Sequence, residues 1–294
     1  MVKVREDKIL VAIVHFFDVK MTNEAIYSIK NGTLVPKIAV VCKSNETKNF
    51  SQRDLIFIED NENKGYAARL NKAGRYALQN HYDYAIFANN DIKVNRDTIA
   101  KMYTFIKANP NTIVAPLILY ENGRIQSSGI RFNLLTGRNI NLYHNCDVKS
   151  INERIIIPDA VTGTFFMVKT SVFKSIKFDE DYDFYFEDVS FCLGASESGI
   201  RPIVLREATI VHKTSQSIKM LPIRQISEMV TKNHIKTINK HFGITGGSFP
   251  ITVPIILSIA YNVLYFLLKT NNKKGEALKG VISGAIKGIG EILK

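Results

Sequence analysis

The stretch Tyr82-Asp-Tyr-Ala-Ile-Phe-Ala-Asn-Asn-Asp-Ile-Lys-Val94 contains an uncharged run that ends abruptly in three polar residues. The run from Tyr84 to Ala88 has the length and composition of a strand buried on both faces of a parallel sheet. Asn89, Asn90 and Asp91 follow it directly. Ligands of open α/β sheets bind outside the carboxyl ends of the strands, so these three side chains are candidates for binding a polar ligand. The alternative is an ordinary turn, because Asn and Asp bond their own backbone in turns.

Three more apolar runs of this kind precede the stretch, at residues 9–14, 38–41 and 55–58. A helical pattern lies between the first two runs, with Thr22 as its candidate N-cap. Another helical pattern follows Gly65 and continues to about Gln79. Strands that alternate with helices over short connections predict right-handed crossovers. We therefore expect an α/β fold with a doubly wound, mostly parallel sheet.

The helix after Gly65 is a candidate phosphate site. A helix that begins at the carboxyl edge of a strand presents free N–H groups and the positive end of its dipole to phosphate. Asn61 and Asn63 precede this helix, and Asn71 lies on it. The alternative is a plain capped crossover helix without a ligand.

Residues 178–188 alternate carboxylates with Phe and Tyr side chains. A solvated acidic loop with helix-capping acids is one interpretation. The aromatic content favours another, because aromatic rings around carboxylates are typical of a sugar-binding or desolvated catalytic pocket. We expect a helix to begin near Glu187. Asp188 would then lie in its first turn, where the dipole favours the ionised form that a general base needs.

The chain carries a formal charge of +12, and 46% of its residues are hydrophobic, so it is globular rather than disordered. Residues 213–294 hold twelve Lys and Arg against three Glu, a net charge of +9. Because the basicity is concentrated in this tail, we expect a partner with an anionic membrane surface and no nucleic-acid binding. The three cysteines have no close spacing, which argues against a disulfide framework or a cysteine zinc site.

Short strands at residues 203–205 and 208–211 are predicted to deliver His212 to a strand end. A lone histidine in this position is either structural or a metal ligand, and the chain alone leaves both open.

Taken in order, these signatures resemble bacterial family-2 glycosyltransferases of the GT-A type, particularly rhamnosyltransferase-like enzymes of capsule and O-antigen synthesis. The resemblance covers about residues 8–243. Its signatures are the apolar first strand, Asn61-Glu-Asn63-Lys-Gly65-Tyr-Ala-Ala-Arg-Leu-Asn71, Asn89-Asn90-Asp91, Thr162-Gly163 before an apolar strand, and residues 178–188 closed by His212. It implies a GT-A-like, Rossmann-like catalytic domain over residues 1–243 and a helical tail over residues 244–294.

The resemblance implies an inverting transfer of a sugar from dTDP-rhamnose or a UDP-hexose to a lipid-linked or growing cell-surface polysaccharide. It implies that Asp91, completed by His212, binds Mn²⁺ or Mg²⁺ on the donor diphosphate. It also implies Asp188 as the general base, with Glu187 beside it. The further donor-binding positions are His15, Asn61, Asn63, Gly65, Asn71, Asn89 and Asn90, and the acceptor or sugar positions are Thr162, Gly163 and Tyr185.

The chain departs from the family pattern at several positions. Cys42-Lys43 stands where the family usually has Asp-Asn, and Ser190 and Gly194 replace an Asp and an Arg common after the Glu-Asp pair. These departures motivate one alternative function, a catalytically impaired nucleotide-sugar or glycan-binding membrane protein. A second alternative is a nucleotidyltransferase, which also uses a doubly wound sheet and acidic metal ligands.

The tail contains an uncharged run of 20 residues, 249–268, which as a helix is long enough to cross a membrane. Pro250, Pro254 and Asn262 make it a poor spanning segment, and residues 275–294 have the pattern of an amphipathic surface helix. We predict a peripheral or re-entrant anchor at the cytoplasmic face of the cell membrane, with a single span at 249–268 as the alternative. Gly280, Gly284 and Gly288 allow close helix packing, including a homodimer through the C-terminal helices.

Overall fold

The computed structural model describes residues 8–50, 52, 54–62, 64–133, 135–182, 185–213, 221–241, 250–270 and 272–293. Its strands are β1 (Ile9–Val14), β2 (Lys37–Cys42), β3 (Ile56–Glu59), β4 (Tyr84–Asn89), β5 (Ile92–Val94), β6 (Thr112–Leu119), β7 (Ile125–Ser127), β8 (Ile130–Asn133), β9 (Arg138–Asn141), β10 (Ile155–Ile156), β11 (Phe165–Lys169) and β12 (Arg201–His212). Its α-helices are α1 (Val19–Lys30), α2 (Tyr66–Gln79), α3 (Thr98–Ala108), α4 (Glu187–Glu197), α5 (Ile223–His241), α6 (Thr252–Lys269) and α7 (Lys274–Ile292).

The main sheet has the strand order β10-β12-β6-β11-β4-β1-β2-β3, with β5 paired to β12 and β7 paired to β6. The four strands β3, β2, β1 and β4 are parallel to one another. Both faces of this half are buried: Leu10, Ala12 and Val14 of β1 lie in one core cluster, whereas Val11 and Ile13 lie in the other. Helices α2 and α4 contribute to the first cluster, and α1 and α3 contribute to the second. The doubly wound, mostly parallel α/β sheet is thus confirmed.

The other half of the sheet is mixed. Strand β11 runs antiparallel to β4 and β6, and β12 is parallel to β6. The prediction of two short strands before His212 is wrong, because β12 is one continuous strand whose pairing with β6 shifts register between Leu205 and Thr209. Pro116 of β6 pairs with Leu205 at this irregularity. A proline has no N–H to donate to the ladder, and a register shift tolerates that loss.

Helix α1 begins earlier than its pattern predicts. Asp18 is the N-cap and accepts hydrogen bonds from the backbone N–H groups of Lys20 and Met21. Thr22, the predicted cap, is buried inside the helix and bonds the backbone oxygen of Asp18. The Asp18 carboxylate lies just before the first helical residue and caps the free N–H groups there. The hydroxyl of Thr22 therefore bonds other groups.

The C-terminal helices α6 and α7 follow α5, and the predicted boundary at 243/244 lies outside the described residues. The three glycines spaced by four residues on α7 pack against α5 within the same chain. A Cβ at Gly280 would lie 2.2 Å from the backbone oxygen of Arg224, and one at Gly284 would lie 2.3 Å from that of Glu228. Close helix packing through this glycine stripe is therefore an intrachain contact, since any larger residue would collide with the α5 backbone.

Gly284→Ala is expected to destabilise the protein by about 1–3 kcal/mol, because the new methyl group must push α7 away from α5. Thermal unfolding should show a lower midpoint. Gly290→Ala on the same helix is the matched control, since a Cβ there meets nothing within 4 Å. It should be neutral or slightly stabilising, by about 0.5–1 kcal/mol, because alanine favours a helix more than glycine does. Equal midpoints for the two variants would contradict the close contact of α5 with α7.

Candidate active site

Asp91 and His212 meet at the carboxyl edge of the sheet although 121 residues separate them in the chain. Asp91 follows β4 and precedes β5, and β5 pairs antiparallel with the end of β12. This pairing places His212 opposite Ile92, the residue after Asp91. The imidazole Nε2 lies 3.0 Å from Oδ1 of Asp91, and the two side chains are 7% and 12% exposed. The structure thus brings together the two residues that were predicted to bind a metal.

Gln126 of β7 determines which nitrogen of His212 carries the proton. Its side-chain oxygen Oε1 lies 2.9 Å from Nδ1 of His212. An amide oxygen only accepts, so Nδ1 donates to it, and Nε2 is the nitrogen that faces the Asp91 carboxylate. A proton or a cation between Nε2 and the carboxylate oxygen, which lie 3.0 Å apart, would stabilise this contact.

A carboxylate and an imidazole are suitable ligands for Mn²⁺, and a metal that bridges to a diphosphate needs only one or two protein ligands. Within the described residues, no group of three or more His, Cys, Asp or Glu side chains could hold a metal ion. Asp91 and His212 could therefore supply two ligands to a divalent cation, and they do not form a complete protein cage.

The acidic pair lies at the start of α4. Asp188 accepts a hydrogen bond from the backbone N–H of Gly163 to Oδ2 at 2.7 Å, and another from that of Val189 to Oδ1 at 2.8 Å. Glu187 is buried, and its Oε2 has no hydrogen-bond partner among the described residues. A buried carboxyl oxygen without a partner is costly in a folded protein, and it indicates a group that a ligand satisfies.

Burial raises the pKa of both carboxyls. The pKa of Glu187 rises to about 8, with the neighbouring Asp188 as the second cause. For Asp188, the backbone N–H groups of Gly163 and Val189 oppose the effect of burial on the pKa. Asp188 therefore loses its proton first, and Glu187 keeps its proton at neutral pH. The pair can supply one proton acceptor and one hydrogen-bond donor side by side.

Tyr66 connects the two halves of the site. Its hydroxyl lies 2.6 Å from Oδ1 of Asn89 and 3.0 Å from the backbone oxygen of Gly163, whose N–H bonds Asp188. Burial, followed by the charges of Glu187, Asp188 and Asp91, raises the pKa of Tyr66 well above its ordinary value. The Tyr66 hydroxyl therefore lies within electrostatic range of all three carboxyl groups. Sequence reasoning missed Tyr66, although its place directly after Gly65 at a helix start was a signal.

Two of the predicted donor-binding side chains point into the protein. His15 is 2% exposed, and its Nδ1 lies 2.7 Å from Oγ1 of Thr22. Asn90 is 7% exposed and donates to the same Oγ1 and to the backbone oxygen of Phe16. These contacts hold the loop after β1 against the end of β4, on the inner side of the sheet edge.

Asn61 and Asn71 join loops at the same edge. The side chain of Asn61 pairs with the backbone N–H and hydroxyl of Ser44, which links the ends of β2 and β3. Asn71 is buried, exchanges hydrogen bonds with the backbone of Phe178, and donates to Oε1 of Glu180. Asn71 therefore fastens the segment that leads toward α4 onto α2.

The remaining predicted positions are spread around Tyr66 and α4. Gly65 has φ +99°, which a residue with a side chain rarely adopts, and it precedes α2. Thr162 has a buried hydroxyl without a hydrogen-bond partner among the described residues. Tyr185 lies in the turn before α4 with φ +67°. Asn63 is outside the described residues.

The departures from the family pattern have structural counterparts. Cys42 is fully buried, and burial raises the pKa of its thiol to about 11. Ser190 Oγ lies 3.0 Å from Nε2 of His241 on α5, so it ties α4 to α5. A Cβ at Gly194 meets nothing within 4 Å.

Sequence reasoning also missed a buried ion pair beneath this edge. Nε of Arg69 lies 2.9 Å from Oδ2 of Asp60, and the two side chains are 7% and 5% exposed. The guanidinium also donates to the backbone oxygen of His15 at 3.0 Å. This pair stabilises the loop ends around the site.

Comparisons with known proteins bear on the family and the fold of this chain. The family model described as "Glycosyl transferase family 2" matches residues 15–176. A curated relative, the low-salt glycan biosynthesis hexosyltransferase Agl10 of Haloferax volcanii, is 24% identical over 241 residues, covering 81% of this chain and 77% of the relative.

Solved structures share the fold at low identity. GalNAc-T7, solved with UDP, GalNAc and Mn²⁺, has a TM-score of 0.60 and 12% identity over 79% of this chain. This chain spans about half, 47%, of that protein. S. aureus TarS, residues 1–349, has a TM-score of 0.51 and 15% identity over 97% of this chain and 91% of that one. At these identities the likeness shows the fold alone.

Proposed function

The chain belongs to glycosyl transferase family 2, and from this premise we propose that it is an inverting, metal-assisted glycosyltransferase. It would move a sugar from a nucleoside-diphosphate donor to a lipid-linked or growing cell-surface polysaccharide. The observation that supports this best is the pair of contacts made by the Tyr66 hydroxyl. On one side it contacts Asn89, which is two residues before Asp91, the partner of His212. On the other side it contacts the backbone of Gly163, whose N–H bonds Asp188. One region of the fold would then hold both a cation-binding pair and a proton acceptor.

The residues divide the reaction between them. When bound at Asp91 and His212, Mn²⁺ or Mg²⁺ would neutralise the charge on the departing diphosphate. Asp188 takes the proton from the attacking acceptor hydroxyl, and Glu187, protonated by its raised pKa, donates a hydrogen bond to a sugar hydroxyl. Asp188 acts as a base and not as a nucleophile, so a single displacement inverts the anomeric configuration.

We propose a UDP-hexose as the donor, with dTDP-rhamnose as the second candidate. The curated relative is named a hexosyltransferase, and the GalNAc-T7 structure contains UDP and GalNAc. The relative's name also refers to glycan biosynthesis, which supports a role in building a cell-surface glycan. The resemblance of the sequence motifs suggests that this glycan is a capsule or O-antigen polysaccharide.

A panel of UDP-hexoses and dTDP-rhamnose tests this function. The donor should raise the melting temperature, since a ligand that binds only the folded protein stabilises it, and its sugar should be hydrolysed or transferred only with Mn²⁺ or Mg²⁺. Stabilisation without turnover would instead favour the impaired binding protein. Turnover of a nucleoside triphosphate with a sugar phosphate would favour the nucleotidyltransferase.

We also propose that the C-terminal tail, residues 244–294, attaches the catalytic domain, residues 1–243, to the cytoplasmic face of the membrane. By length and composition, α6 is apolar enough to cross a membrane. However, one face of α6 is buried in the protein, where Asn262 and Ser258 are fully covered. The opposite face and the outer face of α7 expose Ile256, Leu264, Leu268, Ile282, Ile286 and Leu293. A helix with one face on the protein and one apolar face outside suits an interfacial position better than a span.

The double variant Leu268→Glu/Ile286→Glu should abolish co-sedimentation with vesicles that contain anionic lipid, because two charges would enter the apolar face. Ile157→Glu is the matched control, since Ile157 is also an exposed aliphatic residue, at 58%, but lies in the catalytic domain. Retained vesicle binding by the double variant would contradict the proposal. Loss of a dimer without vesicles, measured by light scattering, would instead identify this face as the predicted homodimer interface.

A further inference from the structure

The turn that leads into α4 has a strained backbone. Tyr185 has φ +67° and Phe186 has φ +74°, so two consecutive aromatic residues adopt the left-handed region that favours glycine. This conformation costs free energy, and it persists only where the surrounding structure enforces it. Glu187 and Asp188 follow directly. The direction of both carboxylates therefore depends on what holds this turn.

Two consecutive residues of α5 hold it. Nδ2 of Asn233 donates a hydrogen bond to the backbone oxygen of Tyr185 at 3.0 Å. The ring of His234 packs edge-on against the ring of Phe186, with centroids 4.6 Å apart and an interplanar angle of 89°. Phe186 is only 5% exposed, so its ring is fixed by this contact.

His234 is itself held by α6. The side-chain N–H of Asn262 donates to Nδ1 of His234 at 2.8 Å. Burial lowers the pKa of His234 to about 3, so the imidazole is neutral and can accept this bond. Asn262 is fully buried on a helix whose other buried residues are mostly apolar, with Ser258 as the other buried polar side chain. A buried, hydrogen-bonded polar pair between two helices fixes how one lies along the other.

We propose that Asn233, His234 and Asn262 are positioning residues for sugar transfer. They form a chain of contacts from α6 through α5 to the strained turn, and so fix Glu187 and Asp188 relative to Gly163. The inference rests on the proposed function, and it makes the C-terminal helices part of the catalytic apparatus as well as an anchor. None of the three residues is placed against donor or acceptor.

Asn233→Asp is the first test. It keeps the size of the side chain but replaces the donor to Tyr185 by an oxygen that repels the carbonyl. We expect kcat to fall about tenfold or more while the dissociation constant of the UDP-hexose donor stays within twofold, because a misplaced base affects the transition state alone. Asn239→Asp, an exposed position on the same helix, should leave both quantities unchanged. A folded Asn233→Asp variant with unchanged kcat overturns the proposal.

A second set of variants decides the matter if Asn233→Asp does not fold. His234→Phe and Asn262→Leu each leave one buried polar group unpaired, whereas the double variant removes both and keeps a ring against Phe186. Each single variant should lower kcat more than the double variant does. Single variants with the kcat of the parent overturn the inference.

A substrate-free readout separates this inference from the proposed function. The ¹³C titration of the Glu187 carboxyl, assigned with Glu187→Gln, should show a pKa near 8 in the parent. In the Asn233→Asp variant, that pKa should move toward the ordinary value, because the displaced turn exposes the group. An unchanged titration contradicts the inference. A parent that titrates as expected but transfers no sugar contradicts the proposed function alone.

Discussion

Asp188→Asn is expected to lower kcat for sugar transfer by about 10³-fold, a typical effect of removing a general base. The amide has the same shape, and its oxygen can still accept the hydrogen bond from Gly163 N–H, although its NH₂ group then replaces the oxygen that accepts from Val189 N–H. It cannot accept the proton of the attacking hydroxyl. Donor affinity should therefore remain within twofold of the parent. Steady-state transfer rates and donor titration measure the two quantities separately.

Glu187→Gln is the comparison for this variant. Because burial raises the pKa of Glu187 to about 8, the parent side chain is mostly protonated at neutral pH, and a glutamine imitates that form. We expect a loss of about tenfold or less, well below the effect at Asp188. Transfer by Asp188→Asn at the rate of the parent would remove Asp188 as the base. A larger loss at Glu187 than at Asp188 would exchange the two roles.

Asp91→Ala is expected to weaken donor binding in the presence of Mn²⁺ by about 10²- to 10³-fold, since a bound cation contributes several kcal/mol to holding charged oxygens. The substitution leaves His212 as the single remaining member of the pair. Donor binding without metal should change little. Titration of the UDP-hexose donor with and without Mn²⁺ measures this difference.

Asp97→Ala is the matched control, because Asp97 is an exposed carboxylate on the segment after β5 and makes no side-chain cap bond. Gln126→Leu tests the residue that orients His212. The substitution removes the acceptor of His212 Nδ1, and we expect metal binding to become about 10- to 100-fold weaker. If Asp91→Ala keeps the full response of donor binding to Mn²⁺, the cation does not bind at this pair.

Several features of the fold could be predicted from the order of residues. The apolar run from Tyr84 and the polar residues after it define β4 and its end, and the first turn of α4 begins at Glu187 as the acidic pair indicates. Such features depend on residues that are neighbours in the chain, so a local pattern of apolar and polar side chains carries the information. The family model matches residues 15–176, a range that includes β4 and ends before the acidic pair of α4.

Other features depend on pairing between distant segments. The continuity of β12 depends on β6, which tolerates Pro116 at a register shift, and no local pattern in either strand reveals this. Helix α1 starts at Val19 because Asp18 caps the N–H groups of Lys20 and Met21, one turn before Thr22. The outcome frees Thr22 to bond His15 and Asn90, two residues that were predicted to face the donor.

The sequence by itself determined the alternation of strands and helices, the family, and which polar residues follow the strands, because each of these depends on residues that are close together in the chain. Only the tertiary structure decided that Asp91 touches His212, that Tyr66 joins them to Asp188, and that α6 is coupled to the acidic pair through His234. Contacts of this kind arise when sheet pairing and helix packing bring distant segments together. The distances between these side chains and their burial exist only in the folded chain. They set the protonation of the carboxyl groups and the direction in which the side chains point.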